Sequence, residues 1–241
     1  VLARDATRVF NYITGYATPD EMEALVVSPL SMKSTLLRLI EARENAVFEI
    51  ALPDGDRAAL RLHRRGYQGA AAISSELWWC AELAALGLPI PRPIPSQQGR
   101  VLETLASGRQ VSVVAWLDGV AMGAAGQPFA EPVSVQIDRH FRLGQLLRRV
   151  HAASEGLMLP VGFSRPRWDA EGLVGEAPFW GRFWDHPAAL PDQSAVLIAA
   201  RDALRAELPR HAAAGGKSGL IHADVLRENV LVSDAGLSLI D

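Results

Sequence analysis

His222, Asp224, Asn229 and Asp241 stand close together in the stretch Leu220 to Asp241, separated by short apolar runs. A carboxylate, an amide five residues later, and a second carboxylate closing an apolar segment supply a proton acceptor and hard oxygen ligands. Phosphoryl transfer needs both, because a carboxylate must meet the attacking hydroxyl while other oxygens hold Mg²⁺ on the nucleotide phosphates. The local pattern suits such a site. Leu220-Ile221-His222 reads as a short strand, and Asn229 opens a second strand at Val230-Leu231-Val232. Asp234-Ala235-Gly236 reads as a turn, and Leu237 to Ile240 as a strand ending at Asp241. A compact loop would then aim Asp224 and Asn229 at one cavity. The same residues also serve as turn caps, and a loop histidine after a buried strand often fixes the backbone.

The elements upstream set the frame. Ser34 to Ile40, Ala46 to Leu52 and Ala58 to His63 read as three strands of an antiparallel meander, with a strong turn signal at Pro53-Asp54-Gly55-Asp56. Asp20 to Leu30 reads as a short helix or ordered lead-in. Ala70 to Leu86 has apolar residues at helical spacing and stops near Gly87. The alternating prolines from Pro89 to Pro95 exclude its continuation. Two further strands are expected at Arg100 to Leu105 and Gln110 to Leu117, before a boundary at Asp118-Gly119 and a small-residue run from Met122 to Pro128. Val135 to Ala152 and Gln193 to Leu208 read as helices, and the aromatic segment Pro160 to Pro191 as loops with short helices.

The spacing His222-x-Asp224-x-x-x-x-Asn229, with Asp241 after an apolar strand, resembles the catalytic and metal-binding segments of the aminoglycoside-phosphotransferase and choline-kinase type of the kinase-like superfamily. The resemblance implies that Asp224 orients or deprotonates a substrate hydroxyl, that Asn229 and Asp241 bind metal, and that His222 braces the loop. It also implies a strand-turn-strand over the nucleotide, a phosphate-binding cation on the third strand and a helix glutamate paired with that cation. Glu44-Asn45-Ala46-Val47-Phe48, Arg61 and Glu76 occupy those places in that order. Asn45 would contact phosphate, although an asparagine there is equally a turn former. Val113 to Gly119 resembles the interlobe hinge, with Ala115 and Leu117 as the contacts to adenine, and Leu143 to His151 resembles the long C-lobe helix.

Arg61 departs from the family's lysine. It keeps the charge and adds a planar fork, but not the compact ammonium. Lys33 and Lys217 are the only lysines against 22 arginines, so the substitution follows a preference of the whole chain. Arg61-x-His63-Arg64-Arg65 and Ser75-Glu76-Leu77-Trp78 look more like the homoserine-kinase and stress-response-kinase branches than antibiotic-resistance enzymes.

The resemblance as a whole implies an α+β, two-lobed protein-kinase-like fold. Residues 1–117 would form the N-lobe, an antiparallel sheet with a helix, and residues 118–241 a mainly helical C-lobe that stops short of the family's further helices. The expected activity is ATP- and Mg²⁺-dependent phosphorylation of a hydroxyl on a small molecule or on protein serine or threonine. Two alternatives stay open: a catalytically weak nucleotide-binding module that regulates a partner, suggested by Arg61, and a two-lobed interaction protein without a nucleotide site.

Composition is consistent with this expectation. With 49% apolar residues in 241, the chain can bury a sizeable core. The net charge of −3 offers no broad attraction to nucleic acid or anionic membranes. No apolar run approaches the roughly 20 residues that cross a bilayer, so no membrane partner and a cytoplasmic location are expected. Cys80 is the only cysteine, which excludes an internal disulfide, and its apolar neighbours suggest a buried thiol. Trp168, Trp180 and Trp184 are expected to pack their own irregular segment, and His186 and His211 lack partners at metal-ligand spacing.

Overall fold

A computed structural model describes residues 35–42, 45–52 and 54–240. The expected lead-in helix at 20–30 and the metal candidate Asp241 lie outside the described residues. Two compact units are distinguished: one runs through Phe163 and resumes at Leu220, and the other is Ser164–Gly219. The lobe boundary expected after Leu117 falls inside the first of these.

The first unit is built on a five-stranded antiparallel sheet of β1 (Thr35–Ala42), β2 (Asn45–Ala51), β3 (Arg57–His63), β4 (Leu102–Thr104) and β5 (Gln110–Ala115), in the order β1-β2-β3-β5-β4. Period-two alternation drives it. Ala46, Phe48 and Ile50 of β2, and Ala58, Leu60 and Leu62 of β3, bury their side chains with Val111 and Val113 of β5 in one cluster. Partners in register, such as Val47 with Arg61 and Arg61 with Ser112, fix where each polar residue stands.

Helix α1 (Ala70–Ala85) is rich in Ala, Leu and Glu, which favour helix. It ends in a Schellman motif, with Gly87 at φ +75°, Leu88 N–H donating to Leu83 O at 3.1 Å and Gly87 N–H to Ala84 O at 3.0 Å. Ile73 and Leu77 pack on the sheet against Val114, while Leu83, Trp79 and Cys80 enter a second core with Leu143, Leu146, Val150, Val230 and Leu239. Cys80 is therefore half-buried at the edge of that core rather than enclosed. The helix joins the Val114 face of the sheet, opposite the first cluster, to this second core.

The other members of the second core come from α2 (Val133–Glu155) and from a small antiparallel sheet, β6 (Val120–Ala121), β7 (Val230–Ser233) and β8 (Gly236–Leu239), in the order β6-β7-β8. Gly119, at φ +145°, lets β6 approach β7; a Cβ there would lie 2.9 Å from Val232 O. The expected strand at Leu220 to His222 does not form. Both edges of β7 are already taken, by β6 and β8, and Ile221 is exposed. The two-residue strand β6 had too short a pattern to be read.

The proline-rich segment after α1 is stitched to both sheets. Ile94 N–H donates to Val113 O, Ala115 N–H to Arg92 O and Leu239 N–H to Pro89 O, at 2.8, 2.8 and 3.1 Å. In the second unit, α3 (Ala170–Val174) is capped by Asp169, and α4 (Pro191–Ala213) continues past the expected end at Leu208 with Pro209 in its last turns. Trp184 is buried there with Arg182 and Arg201 against its ring, as expected of a packing residue, whereas Trp168 and Trp180 meet edge to face but stay exposed.

Candidate active site

The loop from His222 to Asn229 leaves regular structure and closes through one side chain. Asn229 Nδ2 donates to the main-chain oxygen of Asp224 at 2.9 Å and to its carboxylate Oδ2 at 3.0 Å. Asn229 is itself fixed from both sides, by its N–H on Leu226 O at 3.0 Å and by Ile240 N–H on its carbonyl at 2.9 Å. Behind it, Val230 is fully buried. An exposed carboxylate is thus held in one orientation by an amide anchored in the core.

Ala223 sits at φ +65°, the one non-glycine residue with positive φ among the described residues. Left-handed backbone is unfavourable for a side chain with Cβ and persists where surrounding contacts over-determine it. Here it falls between His222 and Asp224. His222 Nδ1 is buried with no hydrogen-bond partner among the described residues.

The residues between Asp224 and Asn229, which the motif leaves unspecified, grip a distant turn. Arg227 donates to Gln127 O at 2.8 Å and to Ala124 O at 2.7 Å, and its guanidinium lies 4.6 Å from the centroid of the Phe129 ring. Glu228 Oε1 accepts from Ala125 N–H at 2.7 Å. Sequence reasoning missed both residues. The only signal was a charged pair inside the motif's gap, and nothing local links it to the small-residue run at 122–128.

On the sheet side, Arg61 Nη1 donates to Glu76 Oε1 at 3.0 Å, and both side chains are largely enclosed, at 12% and 16% exposure. The pair joins β3 to α1 as expected. Asn45 Oδ1 accepts from Arg64 N–H at 3.2 Å, so the side-chain oxygen braces the end of β3. Ala115 closes β5 with its N–H committed to Arg92 O, and Leu117 follows outside any strand. Next to them Arg57 stacks 4.7 Å from the Trp116 ring centroid and pairs with Asp118 and with Glu49. Burial pushes the Glu49 carboxyl upward, but hydrogen bonds and charge from Arg38 and Arg57 outweigh it and hold the group below its ordinary value.

The paired Arg61 and Glu76 and the paired Asp224 and Asn229 therefore occur in one compact unit, in the order expected of a kinase-like site. Residues 36–241 match the model of the phosphotransferase enzyme family, which spans both pairs. The chain belongs to that family.

Two relatives sharpen the comparison. A homoserine kinase of Rhizobium etli is 34% identical over 164 residues, which cover 66% of this chain and 44% of the relative. One of Burkholderia ambifaria is 32% identical over 160 residues, 64% of this chain and 40% of the relative. The matched stretch thus spans less than half of these relatives. Among solved structures, a microcompartment-associated aminopropanol kinase superposes with a TM-score of 0.74 at 27% identity, covering 91% of this chain and 68% of that one. An amicoumacin kinase in complex with AMP-PNP, Ca²⁺ and Ami shares the fold, with a TM-score of 0.66 at 18% identity over 92% of this chain and 63% of that one. The expected α+β, kinase-like fold is borne out.

Proposed function

We propose that this protein transfers the γ-phosphoryl group of ATP to the hydroxyl of a small molecule in the cytoplasm, with Asp224 as general base. The observation that carries the reading is the grip of Asn229 on both oxygens that Asp224 offers to it, next to the left-handed Ala223. A carboxylate fixed at one point and exposed to solvent suits a group that must meet an incoming hydroxyl.

In this reading Asp224 accepts the hydroxyl proton as the acceptor oxygen bonds to the γ-phosphorus, the bond to the β,γ-bridging oxygen breaks, and ADP leaves. His222 braces the loop. Arg61, held by Glu76, places positive charge on the nucleotide phosphates; a guanidinium can keep one edge on a carboxylate and offer another to phosphate. Ala115 and Leu117 contact adenine through main-chain groups, with the carbonyl of Ala115 as its contributing atom. Asn45 contributes through its backbone or Nδ2.

The donor set fits a hard cation. Because Asn229 spends Nδ2 twice on Asp224, its carbonyl Oδ1 is the atom offered to a metal. Asn229 and Asp241 would hold Mg²⁺, whose charge neutralises the phosphate oxygens.

The relatives support one acceptor class. Homoserine and aminopropanol are both small amino alcohols, so an amine-bearing alcohol is the substrate class proposed. Incubation with Mg²⁺ and γ-labelled ATP across amino alcohols, sugars and serine- or threonine-containing peptides tests it. Label should appear on an amino alcohol and be lost in Asp224→Ala; transfer to peptides alone would move the acceptor to protein.

Arg61 in place of lysine favours a second reading, a nucleotide-binding module with little turnover. It predicts that ATP raises the melting temperature while neither the wild type nor Asp224→Ala releases product. Robust turnover lost in that variant excludes it.

A further inference from the structure

The turn at Ala124 to Gln127 is exposed throughout, and an exposed turn has no burial to order it. Its order comes from two adjacent residues of the 224–229 loop. Arg227 takes the two carbonyls that bracket the turn, Ala124 O and Gln127 O, and Glu228 takes the amide of Ala125 between them. The turn closes on itself through Gln127 N–H to Ala124 O at 3.2 Å, with Gly126 at φ +71°. Phe129 completes the enclosure, since its ring meets Arg227 on one side and the His140 ring of α2 at 5.4 Å, edge to face. Met122 N–H on Val230 O at 2.8 Å continues the attachment into β7.

These contacts act on the span between Asp224 and Asn229. That span has no regular structure beyond one 3-10 turn at Arg227–Asn229, so its shape depends on what it holds. The geometry points to Arg227 and Glu228 as positioning residues: by clamping the 124–127 turn they fix the loop that keeps Asp224 in the grip of Asn229. They act through the loop and touch no reacting atom. The inference rests on the reading of Asp224 as base, and it adds the turn after the hinge as a working part of the site.

Gly123 gives an independent handle. A Cβ there would stand 3.1 Å from Arg227 Cδ, so a larger residue presses on the clamp without altering the motif.

Steady-state kinetics on the full chain test the inference with Arg227→Met, Arg227→Lys, Glu228→Leu and Gly123→Val. Arg227→Met is expected to lower kcat at least tenfold with both KM values within twofold of wild type. Arg227→Lys should recover a substantial part, since an ammonium still reaches one carbonyl. Glu228→Leu and Gly123→Val should lower kcat in the same selective way, and they carry the test if Arg227→Met does not melt cooperatively. Folded Arg227→Met with kcat within twofold of wild type overturns the proposal, as does an equal loss in kcat and in affinity for both substrates. A wild-type protein that transfers no phosphate defeats the functional reading alone. The clamp is then judged by the side-chain amide NMR signal of Asn229, which must move in Arg227→Met; an unmoved signal rejects the clamp.

Discussion

Ala223 shows how much of the site depends on backbone rather than side chains. For an L-residue the left-handed region costs roughly 1–2 kcal/mol, while replacing alanine by glycine loosens the unfolded chain by about 0.4–1 kcal/mol. The first equals or exceeds the second. Ala223→Gly is therefore expected to leave stability unchanged or raise it by up to about 1.6 kcal/mol in urea denaturation, while kcat falls because the loop gains alternatives. At the proposed base, Asp224→Asn should lower kcat by about 10²–10⁴ with nucleotide affinity retained, read by single-turnover kinetics beside a binding titration. That Asp224 and Asn229 share one compact loop was legible in sequence because their spacing is local. Arg227 was not, since its partners at Ala124 and Gln127 come from a remote segment and are main-chain oxygens, which carry no letter of their own.

Among the elements, α1 links the Arg61–Glu76 pair to the second core through a relay: Trp79 Nε1 donates to Ser154 Oγ at 2.9 Å, and Ser154 Oγ to Val150 O at 2.7 Å. Trp79→Phe should cost about 0.5–1.5 kcal/mol, and adding Ser154→Ala should cost less than the sum, as a double-mutant cycle measures. The sheet carries a pH signature. Glu49 has a folded pKa below its ordinary value, so it contributes stability at pH above that value, and the contribution disappears as pH falls through the folded pKa. Glu103 behaves alike, lowered first by the Arg100 hydrogen bond against the opposing effect of burial. Wild type should exceed Glu49→Gln in denaturation midpoint at neutral pH, with the gap narrowing as pH drops below the ordinary carboxylate range. The meander and α1 were readable because alternation and helical period persist over whole elements. The strand expected at Leu220 to His222 was misread because its pattern cannot reveal that β6 and β8 already fill the edges of β7.

Across the whole molecule the burial of the long helices is unequal. Helix α2 buries Leu143, Leu146, Val150 and Ser154, whereas α4 buries no residue. Local opening follows buried contacts, so amides of α4 should exchange with deuterium well before those of the second half of α2. Exchange resolved by mass spectrometry checks the order, and equal protection would refute it. No helix among the described residues is long and apolar enough to cross a membrane. The clamp between Ala125 and Glu228 joins positions 103 residues apart. A ribosome adds about 5–20 residues per second, so the turn waits roughly 5–20 s after its own translation before the residues that shape it exist. During that interval the nascent chain carries the turn without its counterpart, and the order of both segments arrives only when the two meet.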